Sequence, residues 1–183
     1  MTPVVRTNWT ADIATASAVA QVPADLIEAM VVVESGGNPW AVNAEPKYRY
    51  FWDVARQAPF RLLSQDEIAS KIPPPDFRSL AGDRDQEWWC QQMSFGLLQL
   101  MGALARELGF RGPYLTEICR PDLNLSLGCG HVASLLRWAN GNERQAVAAY
   151  NAGRGGFASS AGQAYADKVL SRRAEPGGSG GTR

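Results

Sequence analysis

The sequence predicts a mainly α-helical domain interrupted by one large, loop-rich insertion. Three observations carry that expectation. Apolar residues recur with helical spacing along both the N-terminal and the C-terminal parts of the chain, and little in it alternates with a period of two. Between about residues 44 and 93 the composition changes to aromatics, arginine and proline. A chain of 183 residues suits one compact domain with a sizeable core. Residues 1–172 are expected to form that domain, with 44–93 as its insertion and the glycine-rich end, 173–183, as a flexible tail.

The elements follow in order. A first helix is expected from Thr10, as its cap, to Gln21, and a second from Pro23 to Glu34. In the second, Ile27, Met30 and Val31 share a stripe with Glu34, so an acid extends an apolar face. Gly36, Gly37 and Pro39 stop this helix and leave Glu34 in its last turn. Carbonyl dipoles and desolvation there both disfavour a negative charge and should raise the carboxyl pKa. Such an acid can give a proton to a leaving group. A solvated acid at a helix end is the competing reading, and this segment alone does not separate the two.

Within the insertion, Ser64-Gln65-Asp66-Glu67 reads as the cap of a short helix through Lys71, ended by Pro73-Pro74-Pro75. The rest of the insertion reads as loop. Tyr48, Tyr50, Trp52, Trp88 and Trp89 suit either stacking on sugar faces or a small core of the insertion itself, with the core favoured for the tryptophan pair. A helix is expected from Gly96 to Leu108, ended by Gly109. Another opens at Asp122 or Asn124 and runs through Leu127, Val132, Leu135, Leu136 and Trp138 to the break at Asn140-Gly141-Asn142. A further one spans Glu143 to Tyr150 and ends at Asn151-Ala152-Gly153.

Eighteen basic and eighteen acidic residues cancel, which removes the global field that would recruit nucleic acid or an anionic membrane. No apolar run approaches the roughly 20 residues of a membrane span, and the N-terminus lacks the layout of a secretory signal. Cys90, Cys119 and Cys129 leave one unpaired under any pairing; a bridge between Cys119 and Cys129 and three buried thiols are both open. His131 is the single imidazole and no paired-cysteine spacing appears, so no metal site and no histidine-based triad is expected. Its place in a helical pattern reads as a packed or surface histidine. No cofactor is expected.

Three ordered segments carry a resemblance: Glu34-Ser35-Gly36-Gly37-Asn38-Pro39, Ser94-Phe95-Gly96-Leu97-Leu98-Gln99-Leu100-Met101, and Ala149-Tyr150-Asn151-Ala152-Gly153. Together they resemble the soluble lytic transglycosylases and the related goose-type lysozymes. Pro121 to Gly128 is similar to the segment before that family's core helix, and Tyr165 with Val169 to its closing helix. The resemblance covers about Ala20 to Leu170 and implies a lysozyme-like, mostly α-helical fold that cuts the β-1,4 bond between N-acetylmuramic acid and N-acetylglucosamine in peptidoglycan. Glu34 matches the single catalytic acid. Gln99 and Met101 match residues beside the cleft, and Tyr150 with Asn151 matches a pair whose tyrosine hydroxyl points toward the acid. Ser94 fits a variant of the second motif, and Asn43 stands where many members have a serine bonded to the acid. Three features depart from the pattern: about fifty residues separate the first two motifs, Gly102 stands where many members have proline, and the run from Arg154 to Ala164 holds no acid where some members carry a glutamate that contacts the stem peptide.

The mechanism so implied is a transglycosylation ending in a 1,6-anhydro-muramic acid product, with peptidoglycan glycan strands as partner and a monomer as the expected state. A goose-type hydrolase is the alternative, and it needs a second carboxylate about 6.5–9.5 Å from the first if it inverts. Glu45 and Asp53 lead the insertion's candidates, with Asp83, Asp85 and Glu87 behind them. A non-catalytic peptidoglycan-binding or virion structural module is the third reading. The absence of a visible leader fits a phage endolysin passing from host cytoplasm to wall, or a virion-borne enzyme; a periplasmic enzyme with its leader removed is the other expectation.

Overall fold

A computed structural model describes residues 8–45, 48–70, 72–80 and 82–174. They fall into two compact units, one within residues 1–37 and 128–183 and the other within residues 38–127. The expected tail lies outside the described residues from 175 onward, as do Pro46 and Lys71.

The first unit is all helix among its described residues. It contains α1 (Thr10–Ala20), α2 (Ala24–Ser35), the part of α6 (Pro121–Trp138) from Gly128 onward, α7 (Glu143–Ala152) and α8 (Ser160–Ala174). Leu26, Ile27, Met30 and Val31 of α2 are buried, as the stripe predicts. α8 packs against both α2 and α7. Its Arg173, assigned to the tail by sequence, is helical and ties the three together, with Nε 2.6 Å from Asp25 Oδ2 and Nη1 bonded to Glu143. Leu135, Ala139, Ala146 and Ala149 form a small-residue core that Trp138, Tyr150 and Phe157 cover. Thr10 is the first helical residue rather than the cap: Trp9 holds the cap position, and the Thr10 hydroxyl donates to Glu28 at 3.2 Å.

The second unit is mixed. β1 (Val42–Ala44), β4 (Met93–Phe95) and β5 (Leu100–Met101) form an antiparallel sheet in the order β1-β4-β5. A two-stranded ribbon pairs β2 (Trp52–Asp53) with β3 (Ala58–Pro59). The short helices are α3 (Gln65–Ala69), α4 (Arg84–Gln91), α5 (Gly102–Glu107) and a 3₁₀ turn, Leu115–Cys119. α3 carries the expected capping box between Ser64 and Glu67. Most of the rest of the insertion is loop or turn, as the sequence reading has it, and α4 is the main element that reading misses.

The continuous helix expected from Gly96 to Leu108 is instead a turn, the short strand β5 and a six-residue helix, with β4 immediately before it. Gly96 (φ +73°) and Gln99 (φ +46°) adopt left-handed backbone that a helix cannot contain. The buried Asn124 side chain fixes the turn, accepting from Leu98 N at 2.8 Å and donating to the Phe95 carbonyl at 2.8 Å. A Cβ on Gly96 would lie 2.5 Å from Asn124 Nδ2, so the glycine is needed for space as well as for φ. At Gly102 the constraint is contact alone, because a Cβ there would meet the Cys90 carbonyl oxygen at 2.1 Å. Asn124 therefore sits inside α6, and Pro121 opens that helix.

Phe51, Phe77 and Trp88 make the unit's aromatic core, with Phe51 and Trp88 stacked at 4.2 Å. The tryptophan pair splits, since Trp89 is 44% exposed. Beneath this core Arg106 and Glu87 form a buried, two-pronged ion pair at 2.9 and 2.7 Å. Gln91 acts as a side-chain substitute for a strand, bonding both the backbone N–H and the carbonyl of Trp52. All three cysteines are free and buried.

Candidate active site

Glu34 lies one residue from the end of α2, where Ser35 accepts from Gly37 N and donates to the Val31 carbonyl while Gly36 turns left-handed. The Trp9 indole N–H donates to the Gly37 carbonyl at 2.9 Å and anchors this ending to α1. From α8 the Tyr165 hydroxyl donates to Glu34 Oε1. Burial pushes the Glu34 carboxyl above the ordinary glutamate range; the Tyr165 bond and the positive charge of Lys168 pull the other way without cancelling it. Tyr165 is held neutral far above ordinary phenols, by desolvation first and by the Glu34 charge next.

Tyr150, on α7, is pushed well up by burial and then by the same carboxylate charge, which places it in the electrostatic neighbourhood of Glu34. A hydrogen bond from the Tyr165 hydroxyl reaches Oε1. Sequence reasoning gave Tyr165 no part in the site; the available signal was a tyrosine on the closing helix three residues before a lysine. His131 packs its ring 5.5 Å from that of Tyr150 and is depressed to about 4, by burial and then by Arg154. Asn151 follows Tyr150 on α7 and is exposed.

Four further candidates gather in the second unit. The register pairs Asn43 with Ser94 and Ser94 with Met101, so the three lie in a row across β1, β4 and β5 on one face of the sheet. Gln99 ties this row together. Its Oε1 accepts from Asn43 Nδ2 at 2.6 Å and from Ser94 Oγ at 2.9 Å, and its Nε2 donates to the carbonyls of Ala41 and Gly96. All four hydrogen-bonding positions of that amide are thereby used.

Most of the insertion's acids are committed locally. Asp53 Oδ1 accepts from the backbone of Ala55 and Arg56 and builds its own turn. Asp83 caps α4, and Glu87 belongs to Arg106. Glu45 is exposed, with its backbone N–H on the Gln92 carbonyl. Tyr50 donates to Glu107 at 2.9 Å and meets Tyr48 edge-on, which engages both tyrosines within the unit. Among the described residues no cluster of histidine, cysteine or carboxylate side chains could hold a metal ion, and no helix is long and apolar enough to cross a membrane.

A half-buried carboxyl held by a neutral phenol on a helical scaffold is a group able to act as a general acid. The sequence profile described as the Transglycosylase SLT domain matches residues 12–170, and the chain belongs to that family. It is a peptidoglycan-cleaving enzyme of the lytic transglycosylase family, with the mainly α, lysozyme-like fold expected from the sequence. No curated protein matches the chain.

Proposed function

We propose that the chain cuts the β-1,4 bond between N-acetylmuramic acid and N-acetylglucosamine as a lytic transglycosylase, with Glu34 as the only acid and base. The observation that carries this reading is the Glu34–Tyr165 bond on a carboxyl whose pKa burial has raised. Glu34 first protonates the glycosidic oxygen while the substrate's 2-acetamido group stabilises the developing oxocarbenium ion. The same carboxylate then takes the proton of the muramic acid 6-hydroxyl, which closes on the anomeric carbon to give the 1,6-anhydro product. That hydroxyl outcompetes water because it is already held beside the reacting carbon. Tyr165 acts through Glu34: its bond fixes one oxygen and leaves Oε2 as the one to which this reading assigns the transferred proton. Asn43, Ser94 and Met101 are assigned to substrate binding, with Gln99 holding their row, and so, separately on α7, are Tyr150 and Asn151.

The hydrolytic alternative needs a second carboxylate free to activate water, and the engagement of Asp53, Asp83 and Glu87 within their own unit favours the single-acid route. Mass spectrometry of fragments released from purified peptidoglycan separates the two. Fragments ending in 1,6-anhydro-muramic acid, lost in Glu34→Gln, are expected. Reducing ends one water heavier would transfer the assignment to hydrolysis, and release of nothing would leave a wall-binding module.

A further inference from the structure

The end of α2 that carries Glu34 leaves the helix through two glycines in left-handed backbone, Gly36 (φ +62°) and Gly37 (φ +82°). A pair of residues without a Cβ has many conformations open to it, and helix ends fray when nothing holds them. Three bonds select the observed conformation. Two are local: Gly36 N donates to the Val32 carbonyl at 3.1 Å, and Gly37 N to Ser35 Oγ at 3.2 Å. The third and shortest comes from 28 residues away, from the Trp9 indole N–H to the Gly37 carbonyl at 2.9 Å. At its other end α2 is held to α8 by the Asp25–Arg173 pair at 2.6 Å. Trp9 stands just before α1 and ahead of the residues that the family profile matches, 12–170.

We infer that Trp9 is a positioning residue for the reaction: its indole N–H holds the last turn of α2 in the conformation in which Glu34 Oε1 meets the Tyr165 hydroxyl. The inference rests on the proposed function for its acid and goes beyond it in giving a role to a residue outside the family-matched segment. Loss of the Trp9 bond frees Gly37, and Ser35 Oγ and the Val32 carbonyl then lose their donors as the turn unwinds toward Glu34. A carboxyl on an unwinding turn swings away from a phenol fixed on another helix, and the geometry needed for proton transfer goes with it. The Trp9 bond therefore acts on the placement of the acid and not on the grip on substrate, so kcat rather than KM carries its effect.

The test takes the indole apart with two substitutions. Trp9→Phe keeps an aromatic ring and removes the donor. Trp9→His removes the benzo ring and keeps a ring N–H, because Nε2 of imidazole and Nε1 of indole stand equally far from Cγ in their five-membered rings. The Thr10–Glu28 bond and the buried Ile13 continue to seat α1 in both variants. On purified peptidoglycan, Trp9→Phe should lower kcat about threefold to fivefold, the range of one hydrogen bond, with KM unchanged, and Trp9→His should keep most of the rate. In a Tyr165→Phe background the same Trp9→Phe change should cost less than about twofold, because the bond it protects is already gone. An equal loss in both backgrounds, a loss confined to KM, or a Trp9→His variant as slow as Trp9→Phe overturns the inference. Should the wild-type chain release nothing, the proposed function fails, and the inference is judged on the Glu34 carboxyl itself by NMR titration. The groups that face that carboxyl are Tyr165 and Lys168 from α8 and Tyr150 from α7. The Tyr165 bond favours the ionised form, so Trp9→Phe should raise the titration midpoint and Trp9→His should leave it in place. A midpoint in Trp9→Phe at or below the wild-type value overturns the inference.

Discussion

Two glutamates, one in each unit, divide the molecule's chemistry. Glu87 is 4% exposed beside a wholly buried Arg106, with both carboxylate oxygens on the guanidinium and a further bond from Gln91. Glu34 is half-buried, receives a bond from a neutral phenol, and feels the charge of Lys168 without a paired guanidinium among the described residues. Both acids have left bulk water, and what separates them is the partner. A guanidinium that covers both oxygens makes a carboxylate a structural ion whose loss disrupts packing. A phenol positions the carboxyl while its proton stays exchangeable, and desolvation then brings its pKa toward neutral pH.

The comparison is broken most severely at Glu34 itself. Glu34→Gln should lower fragment release by about 10²–10⁴-fold, the usual contribution of a general acid, while leaving the chain folded; a loss accompanied by unfolding would move Glu34 into the structural category. At the other acid the effect should be on folding. Arg106→Met strands the Glu87 carboxylate in the core and should cost about 3–5 kcal/mol in urea unfolding, as removal of one partner from a buried pair does. A change within experimental error would show that water reaches the pair.

Tyr165→Phe sharpens the contrast further. The lost bond favoured the ionised form of Glu34, so its removal should raise the carboxyl pKa and move the alkaline limb of the rate profile to higher pH. The maximal rate should fall about tenfold through loss of positioning. An unmoved limb would mean that another group controls it.

Much of the first unit was legible in the sequence, because its helices obey one local rule. The stripe Ile27-Met30-Val31-Glu34 and the Gly36 stop needed no distant residue, and α2 ends within one residue of expectation. The second unit resisted for the opposite reason. Leu97, Leu98 and Leu100 are spaced plausibly for a helix, yet Asn124, more than twenty residues away, captures the backbone of Leu98 and Phe95 and turns the segment into a hairpin. Gln91, which supplies Trp52 with a strand's hydrogen bonds, is likewise a long-range contact that no periodicity records. The site divides along the same line. Glu34 announced itself through its own helix, whereas Tyr165 becomes a partner only when α8 packs against α2.

The smallest expected effects are in stability, and they oppose one another. The Glu34 carboxyl has a higher pKa folded than unfolded, so between those values the folded state binds more protons and stability falls as pH rises; below the unfolded value of about 4.3 the contribution vanishes. Glu34→Gln should therefore raise the melting temperature on the alkaline side and leave it unchanged near pH 4. His131 behaves in reverse. Its folded pKa of about 4 lies below the unfolded value of about 6.5, so the unfolded chain takes up the proton first and stability is lost as pH falls across that window. His131→Phe, which keeps a ring against Tyr150, should flatten the acid side of the profile by at most about 1.4 kcal/mol per pH unit. Melting curves of the two variants against pH should thus diverge from wild type on opposite sides. A His131→Phe profile parallel to wild type through that window would mean that the imidazole charges in place, with Tyr150 and Arg154 rearranging around it.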